Sequence, residues 1–111
     1  MKAIKFNFDG VISFGRIKPF KNTCKVSGKE EWCNIEIEYK PDENILEIGS
    51  YREYFKEPMN LLIEDICSTV AEEIFKVIRP KWLKVTVYLE GNPDLTDWKV
   101  SKKLTKKNYQ K

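Results

Sequence analysis

The chain has 111 residues, 41% of them apolar and 13% aromatic, with a net charge of +3. That is enough apolar material for one core but too little length for two, so a disordered chain is excluded and a single domain over 1–111 is expected. Histidine is absent, which excludes a Ser-His-Asp triad, a Cys-His dyad and any histidine-ligated metal.

The three cysteines follow neither zinc-finger nor disulfide-framework spacing, and no metal site is expected. No apolar run is long enough to span a membrane. Met1 to Gly10 lacks the apolar core of a signal peptide. The chain therefore reads as cytoplasmic and reduced, with no membrane partner. The mild positive charge permits an anionic partner without requiring one.

Along the chain, Ile4, Phe6 and Phe8 alternate with polar residues, as in a short strand. The Asp9-Gly10 turn signal and the extended run from Val11 to Ile17 complete an expected N-terminal hairpin. Pro19 opens a polar, basic loop that carries Cys24. From Glu31 to Lys40 the alternation is clean, with Cys33, Ile35, Ile37 and Tyr39 on the face expected to meet a core. Pro41 to Asn44 turns, and Ile45 to Ile48 is a brief extended piece.

Ser50 is the expected N-cap of a short helix reaching Lys56, and Pro58 interrupts. A longer helix is predicted from about Asn60, with Leu62, Ile66, Cys67, Val70, Ile74, Val77 and Ile78 as its apolar stripe. Arg79-Pro80 ends it. Lys84 to Leu89 alternates as another strand, Glu90 to Asp94 turns, and a last strand is expected near Thr96 to Val100. Beyond about 101 a loose, lysine-rich tail is predicted. Strand pairs flanking two helices predict an α+β domain, an antiparallel sheet covered by helices on one face.

Cys24 is the best nucleophile available. Structural cysteines usually sit among apolar neighbours, whereas Cys24 has Lys21, Lys25 and Lys29 nearby in sequence. Positive charge lowers a thiol pKa, and Glu31, seven residues on, can exchange a proton. The plainer alternative is an unreactive surface thiol, and Glu31 is equally an ordinary strand-end carboxylate. Cys33 and Cys67 fall on apolar faces and read as core. Glu64 suits the start of the long helix through the helix dipole; it is also placed to hold the N–H groups of a purine-like ring. Ser27-Gly28 is too short to make a phosphate loop.

From Cys24 to about Leu89 the chain resembles the nitrile reductase (QueF) family and its non-reducing QueF-like relatives, which act on 7-cyano-7-deazaguanine. Cys24-Lys25-Val26-Ser27-Gly28 is similar to the family's cysteine loop, with Glu31 where the family has aspartate. Asn34 to Tyr39 followed by Pro41-Asp42 resembles its next strand. Ile63-Glu64-Asp65 stands where it carries His-Glu-Asp. Arg79-Pro80-Lys81-Trp82 followed by Val85-Thr86-Val87 resembles its helix end and following strand.

The resemblance implies the tunnelling fold (T-fold), a four-stranded antiparallel sheet with two helices, assembled into oligomeric barrels. It implies that Cys24 adds to the nitrile carbon as a thioimide while Glu31 handles the proton. Ile63 and Glu64 would then meet the base, and Leu46, Glu47 and Ile48 would line it from a neighbouring subunit.

The family's reductases carry a Glu-Ser-Lys-Ser type segment for NADPH. Here it reads Glu47-Ile48-Gly49-Ser50, without the lysine. That loss resembles the archaeosine-forming amidinotransferases, in which ammonia attacks the thioimide and no cofactor is needed. The expected substrate is the cyano base in tRNA, in the queuosine and archaeosine pathway. The alternatives are an NADPH-dependent reductase of the free base and a non-catalytic base-binding domain.

Overall fold

The computed structural model describes residues 1–15, 19–55, 61–90 and 98–109. In chain order the elements are β1 (Ala3–Lys5), β2 (Ile12–Gly15), β3 (Phe20–Thr23), β4 (Glu30–Lys40), β5 (Asn44–Leu46), α1 (Ile48–Tyr54), α2 (Ile63–Ile78), β6 (Trp82–Glu90) and β7 (Lys99–Thr105).

The long strand β4 organises the rest. One edge is paired along its length by β6, from Trp32 opposite Glu90 to Lys40 opposite Trp82. Its other edge is shared by two short strands laid end to end. β2 pairs Gly15 with Glu36 and Ile12 with Tyr39, and β3 pairs Thr23 with Glu30 and Phe20 with Cys33. β7 continues the sheet beyond β6, and every pairing is antiparallel. The sheet thus holds five strands in four positions, with β2 and β3 in the place expected of the Ile45–Ile48 strand, which pairs with β1 in a separate two-stranded sheet.

Alternation decides what β4 buries. Cys33, Ile35, Ile37 and Tyr39 are all at or below 1% exposure. They face the stripe of α2 formed by Ile63, Ile66, Cys67, Val70, Ala71, Ile74, Phe75 and Ile78. That three-and-four spacing places the apolar positions on one side of the helix. Arg79 closes α2 in the left-handed region (φ 47°), its N–H bonded to the Phe75 carbonyl, and Pro80 follows. The helix therefore ends where the sequence predicts. No helix among the described residues is long and apolar enough to cross a membrane.

Three expectations are corrected. The first concerns the N-terminal hairpin. β1 pairs with β5, Ala3 opposite Leu46, while β2 joins β4. Alternation marks a strand but carries no information about its partner. Here the Glu47 N–H to Lys2 carbonyl and Phe6 N–H to Glu43 carbonyl bonds extend the β1–β5 pairing.

The second correction concerns the short helix. It begins two residues before Ser50, because the Glu47 side chain accepts from the Gly49 and Ser50 N–H groups and so acts as the N-cap. Its expected end at Lys56, the Pro58 break and the Asn60 start all lie outside the described residues, as do Ile17, the end of the Glu90–Asp94 turn and Thr96.

The third concerns the tail expected from 101, which is largely strand. β7 runs to Thr105, and Leu104 is buried. Lys102 occupies a core-facing position and escapes burial of its charge by reaching Ser68 (3.4 Å) and Glu72 (3.8 Å) on α2. Lys106 pairs with Asp42.

The Tyr39 hydroxyl accepts the Leu46 N–H at 3.0 Å inside the core, tying β5 to the sheet. Tyr39→Phe strands that donor. It should lower stability by about 1–3 kcal/mol, read as a lower urea midpoint; an unchanged midpoint would show that β5 is held otherwise.

Candidate functional site

The β3–β4 hairpin builds the surroundings of Cys24. The Cys24 N–H donates to the Lys29 carbonyl (2.8 Å), and its own carbonyl accepts from the Gly28 N–H (2.8 Å). Gly28 takes φ +73°, a conformation that strains any L side chain, and this lets the tight turn close. The Lys29 N–H donates to the Ser27 hydroxyl (3.2 Å).

Inside this turn the half-buried Cys24 thiol is drawn below its ordinary pKa. The Ser27 hydroxyl contributes most, followed by the Ser27 and Val26 backbone N–H groups; partial burial and the Glu31 carboxylate oppose the shift. The expected direction therefore holds, but its cause differs: the turn's donors act on the sulfur rather than the neighbouring lysines. The other two cysteines are core groups. Burial, with a smaller push from Glu31, takes the Cys33 thiol up to about 12. Burial also raises Cys67, whose S–H donates to the Val85 carbonyl at 3.3 Å.

Glu31 lies on β4 directly opposite Asn22 and is half-buried. Asn22 is fully buried, at 0% exposure. Its Nδ2 donates to Glu31 Oε1 (2.9 Å) and to the Leu61 carbonyl (2.8 Å), and its Oδ1 accepts from the Leu61 N–H (3.3 Å). Leu61 lies two residues before α2, so this amide binds the hairpin to the start of that helix. Ile63 is buried there at 5%, and Glu64 is exposed in the first turn beside Asp65. The hairpin with Cys24 and Glu31 and the helix start with Ile63 and Glu64 thus form one neighbourhood.

Leu46, Glu47 and Ile48 lie elsewhere. Tyr39, which bonds Leu46, is eight residues from Glu31 along β4, or about 26 Å at strand spacing. Leu46 is in the core at 6% exposure, and Ile48 is exposed at 43%. The Glu47 carboxyl is held below its usual range, first by the Ser50 N–H and then by that of Gly49. It borders an open cavity of about 490 Å³ with Met1, Lys2, Ser50, Glu53 and Tyr54. A cavity of about 460 Å³ on the helix-free face of the sheet involves Glu36, Lys84, Thr86 and Tyr88 and none of the expected site residues. Among the described residues no three potential metal ligands converge.

Two residues of this neighbourhood escape sequence reasoning. Ser27 is weighed there only as a phosphate contact. Asn22 leaves a fainter trace, a polar residue between Phe20 and Cys24 on one alternating face.

The fold and the hairpin site define a tunnelling-fold domain with an acidified thiol beside a carboxylate. Among solved structures, the archaeosine synthase QueF-Like in the apo form superposes with a TM-score of 0.69, at 18% identity, over 84% of this chain and 91% of that one. At this identity the match establishes the shared fold.

The sequence comparisons bear out the family resemblance. The NADPH-dependent 7-cyano-7-deazaguanine reductase of Chlorobium phaeobacteroides (strain BS1) is 25% identical over 80 residues, 70% of this chain and 68% of that protein. Enzymes of the same name from Syntrophus aciditrophicus and Nitrobacter hamburgensis are 29% and 30% identical, and the chain spans only 49% and 45% of their lengths. No family model matches the chain.

The three thiols should separate under iodoacetamide in the native state, with Cys24 alkylated and Cys33 and Cys67 spared. A lowered pKa means more thiolate at neutral pH, so the Cys24 rate should reach half its plateau at a lower pH than an unperturbed thiol does. Ser27→Ala removes the leading donor and should move that midpoint upward, slowing the reaction at pH 7. An unmoved midpoint, followed by mass spectrometry, would show that the hydroxyl is not the cause.

Proposed function

We propose that this chain modifies the nitrile of 7-cyano-7-deazaguanine through a covalent thioimide on Cys24, which ammonia then converts to an amidine. The observation that carries the reading is the acidified thiol of Cys24 in the same hairpin as Glu31, beside the helix start that presents Glu64. The Cys24 thiolate adds to the nitrile carbon, one C–N π bond breaks, and the nitrogen takes a proton from the acid form of Glu31. Ammonia next adds to the thioimide carbon; the C–S bond breaks, the electron pair returns to sulfur as thiolate, the proton shed by the added nitrogen returns to the Glu31 carboxylate, and the amidine leaves. A nitrile is a weak electrophile, and the covalent intermediate divides one hard step into two easier ones. General acid help at the first is worth about 10²–10⁴-fold.

Glu64 accepts hydrogen bonds from the ring N–H groups in this reading. Leu46, Glu47 and Ile48, near the Tyr39 end of β4, serve the base of a second copy in a homo-oligomer. The proposal of a base held within tRNA is supported by the resemblance rather than by the C-terminal lysines, since Lys102 and Lys106 are engaged within the chain.

The names of the curated relatives favour a second reading, NADPH-dependent reduction of the nitrile. The residues at Glu47–Ser50 fit that cofactor poorly. Gly49 offers no cation, and a Cβ there would stand 2.8 Å from Glu47 Oε1, so the capping carboxylate occupies the place where a side chain would begin. No step is therefore assigned to NADPH.

Incubation with 7-cyano-7-deazaguanine should add the mass of the base to Cys24. Cys24→Ala should abolish the adduct and turnover, while Cys67→Ala should change stability alone. Adduct formation by Cys24→Ala would overturn the mechanism, and steady base-dependent NADPH oxidation would establish the reductase instead.

Glu64→Gln should weaken binding of the base by roughly one to two decades, since hydrogen bonds to a charged group contribute about 1.5–3 kcal/mol. The melting temperature should change little, because Glu64 is exposed. Unchanged affinity by calorimetric titration would leave Glu64 its helix-dipole role alone.

A further inference from the structure

We infer that Asn22 is a positioning residue for the Glu31 carboxylate, fixing it relative to the helix start that carries Glu64; the inference rests on the proton-transfer role proposed for Glu31. A fully buried amide is costly unless its polar atoms are bonded, and at a site next to Phe20 an apolar side chain would be the simpler choice. Asn22 instead makes three bonds. Two are exchanged with the Leu61 N–H and carbonyl, as one peptide group pairs with another, and they hold the segment leading into α2. The third, from Nδ2 to Glu31 Oε1 at 2.9 Å, joins the carboxylate to the same anchor.

The need for such an anchor follows from the length of Glu31. Compared with the aspartate of the family it resembles, it carries one more methylene and one more rotatable bond. A longer acid reaches more positions and spends less time in the productive one. Rigid support of a reacting group recovers that loss, and a misplacement of about 1 Å can cost on the order of 10²-fold in rate. Asn22 is directly opposite Glu31 across the strand pair, a register that brings its short amide within reach of both Glu31 and Leu61.

The test is a double-mutant cycle on the full chain, reading the rate of Cys24 adduct formation at saturating 7-cyano-7-deazaguanine, corrected for the folded fraction by circular dichroism. Asn22→Ala should slow the adduct by about 10-fold or more when Glu31 is present. In the Glu31→Ala background it should cost about twofold at most, the level expected of uncoupled sites. An equal loss in both backgrounds would overturn the inference and leave Asn22 a structural role. If Asn22→Ala fails to fold, Asn22→Ser, smaller but still polar, takes its place in the same cycle. Absence of any adduct on the wild-type chain would overturn the functional reading itself and this inference with it, an outcome distinct from an additive cycle.

Discussion

The burial of one face of β4 is the constraint on which the remaining structure depends. Cys33, Ile35, Ile37 and Tyr39 are withdrawn from water together, the two isoleucines alone contributing about 1.5–3 kcal/mol each. A slip of one residue would turn all four outward. With that register fixed, Glu31 lies opposite Asn22 and Cys24 falls at the next position of the face that carries Phe20 and Asn22. The core thus sets the geometry of a hairpin whose tip lies outside it.

The three cysteines show how environment rather than residue type sets reactivity. Cys33 is nine residues from Cys24 and carries the same thiol, yet burial drives it far from ionisation. Cys24 is held in a turn whose hydroxyl and backbone N–H groups converge on the sulfur. The backbone donors among them need no reorganisation when the thiolate forms, which distinguishes them from mobile lysine side chains screened by water. The nearby Glu31 carboxylate works against the thiolate, but as the smallest of these influences it does not reverse the shift.

Long periodic segments were legible from the sequence. The β4 alternation and the α2 stripe ended by Arg79-Pro80 each repeat one pattern over several turns or pleats, and the structure follows them. What escaped was set by partners rather than by pattern. The β1 alternation reads as a strand, but its pairing with β5 depends on contacts distant in sequence. Glu47 displaces Ser50 as the cap because its longer side chain reaches both N–H groups. The continuation of β7 past Val100 is hidden by Lys102, a charged residue at a core-facing position whose ammonium group reaches Ser68 and Glu72 on α2. For the site, Cys24 and Glu31 stood out by residue type, whereas Asn22 looks unremarkable until burial shows how much its amide bonds.

The length of β4 also separates what one chain can do from what two can. Cys24, Glu31 and the α2 start gather at one end of the strand, and Leu46, Glu47 and Ile48 lie by Tyr39 at the other, about 26 Å from Glu31 along the strand. A small planar base cannot span that distance. Either the second cluster has no part in binding the base, or it serves the hairpin of another copy. Glu47 is already committed to capping α1, so it can offer a ligand only carboxylate lone pairs not used by Gly49 and Ser50. That limit favours a hydrogen-bond donor over any anionic group as the partner of the remaining lone pairs.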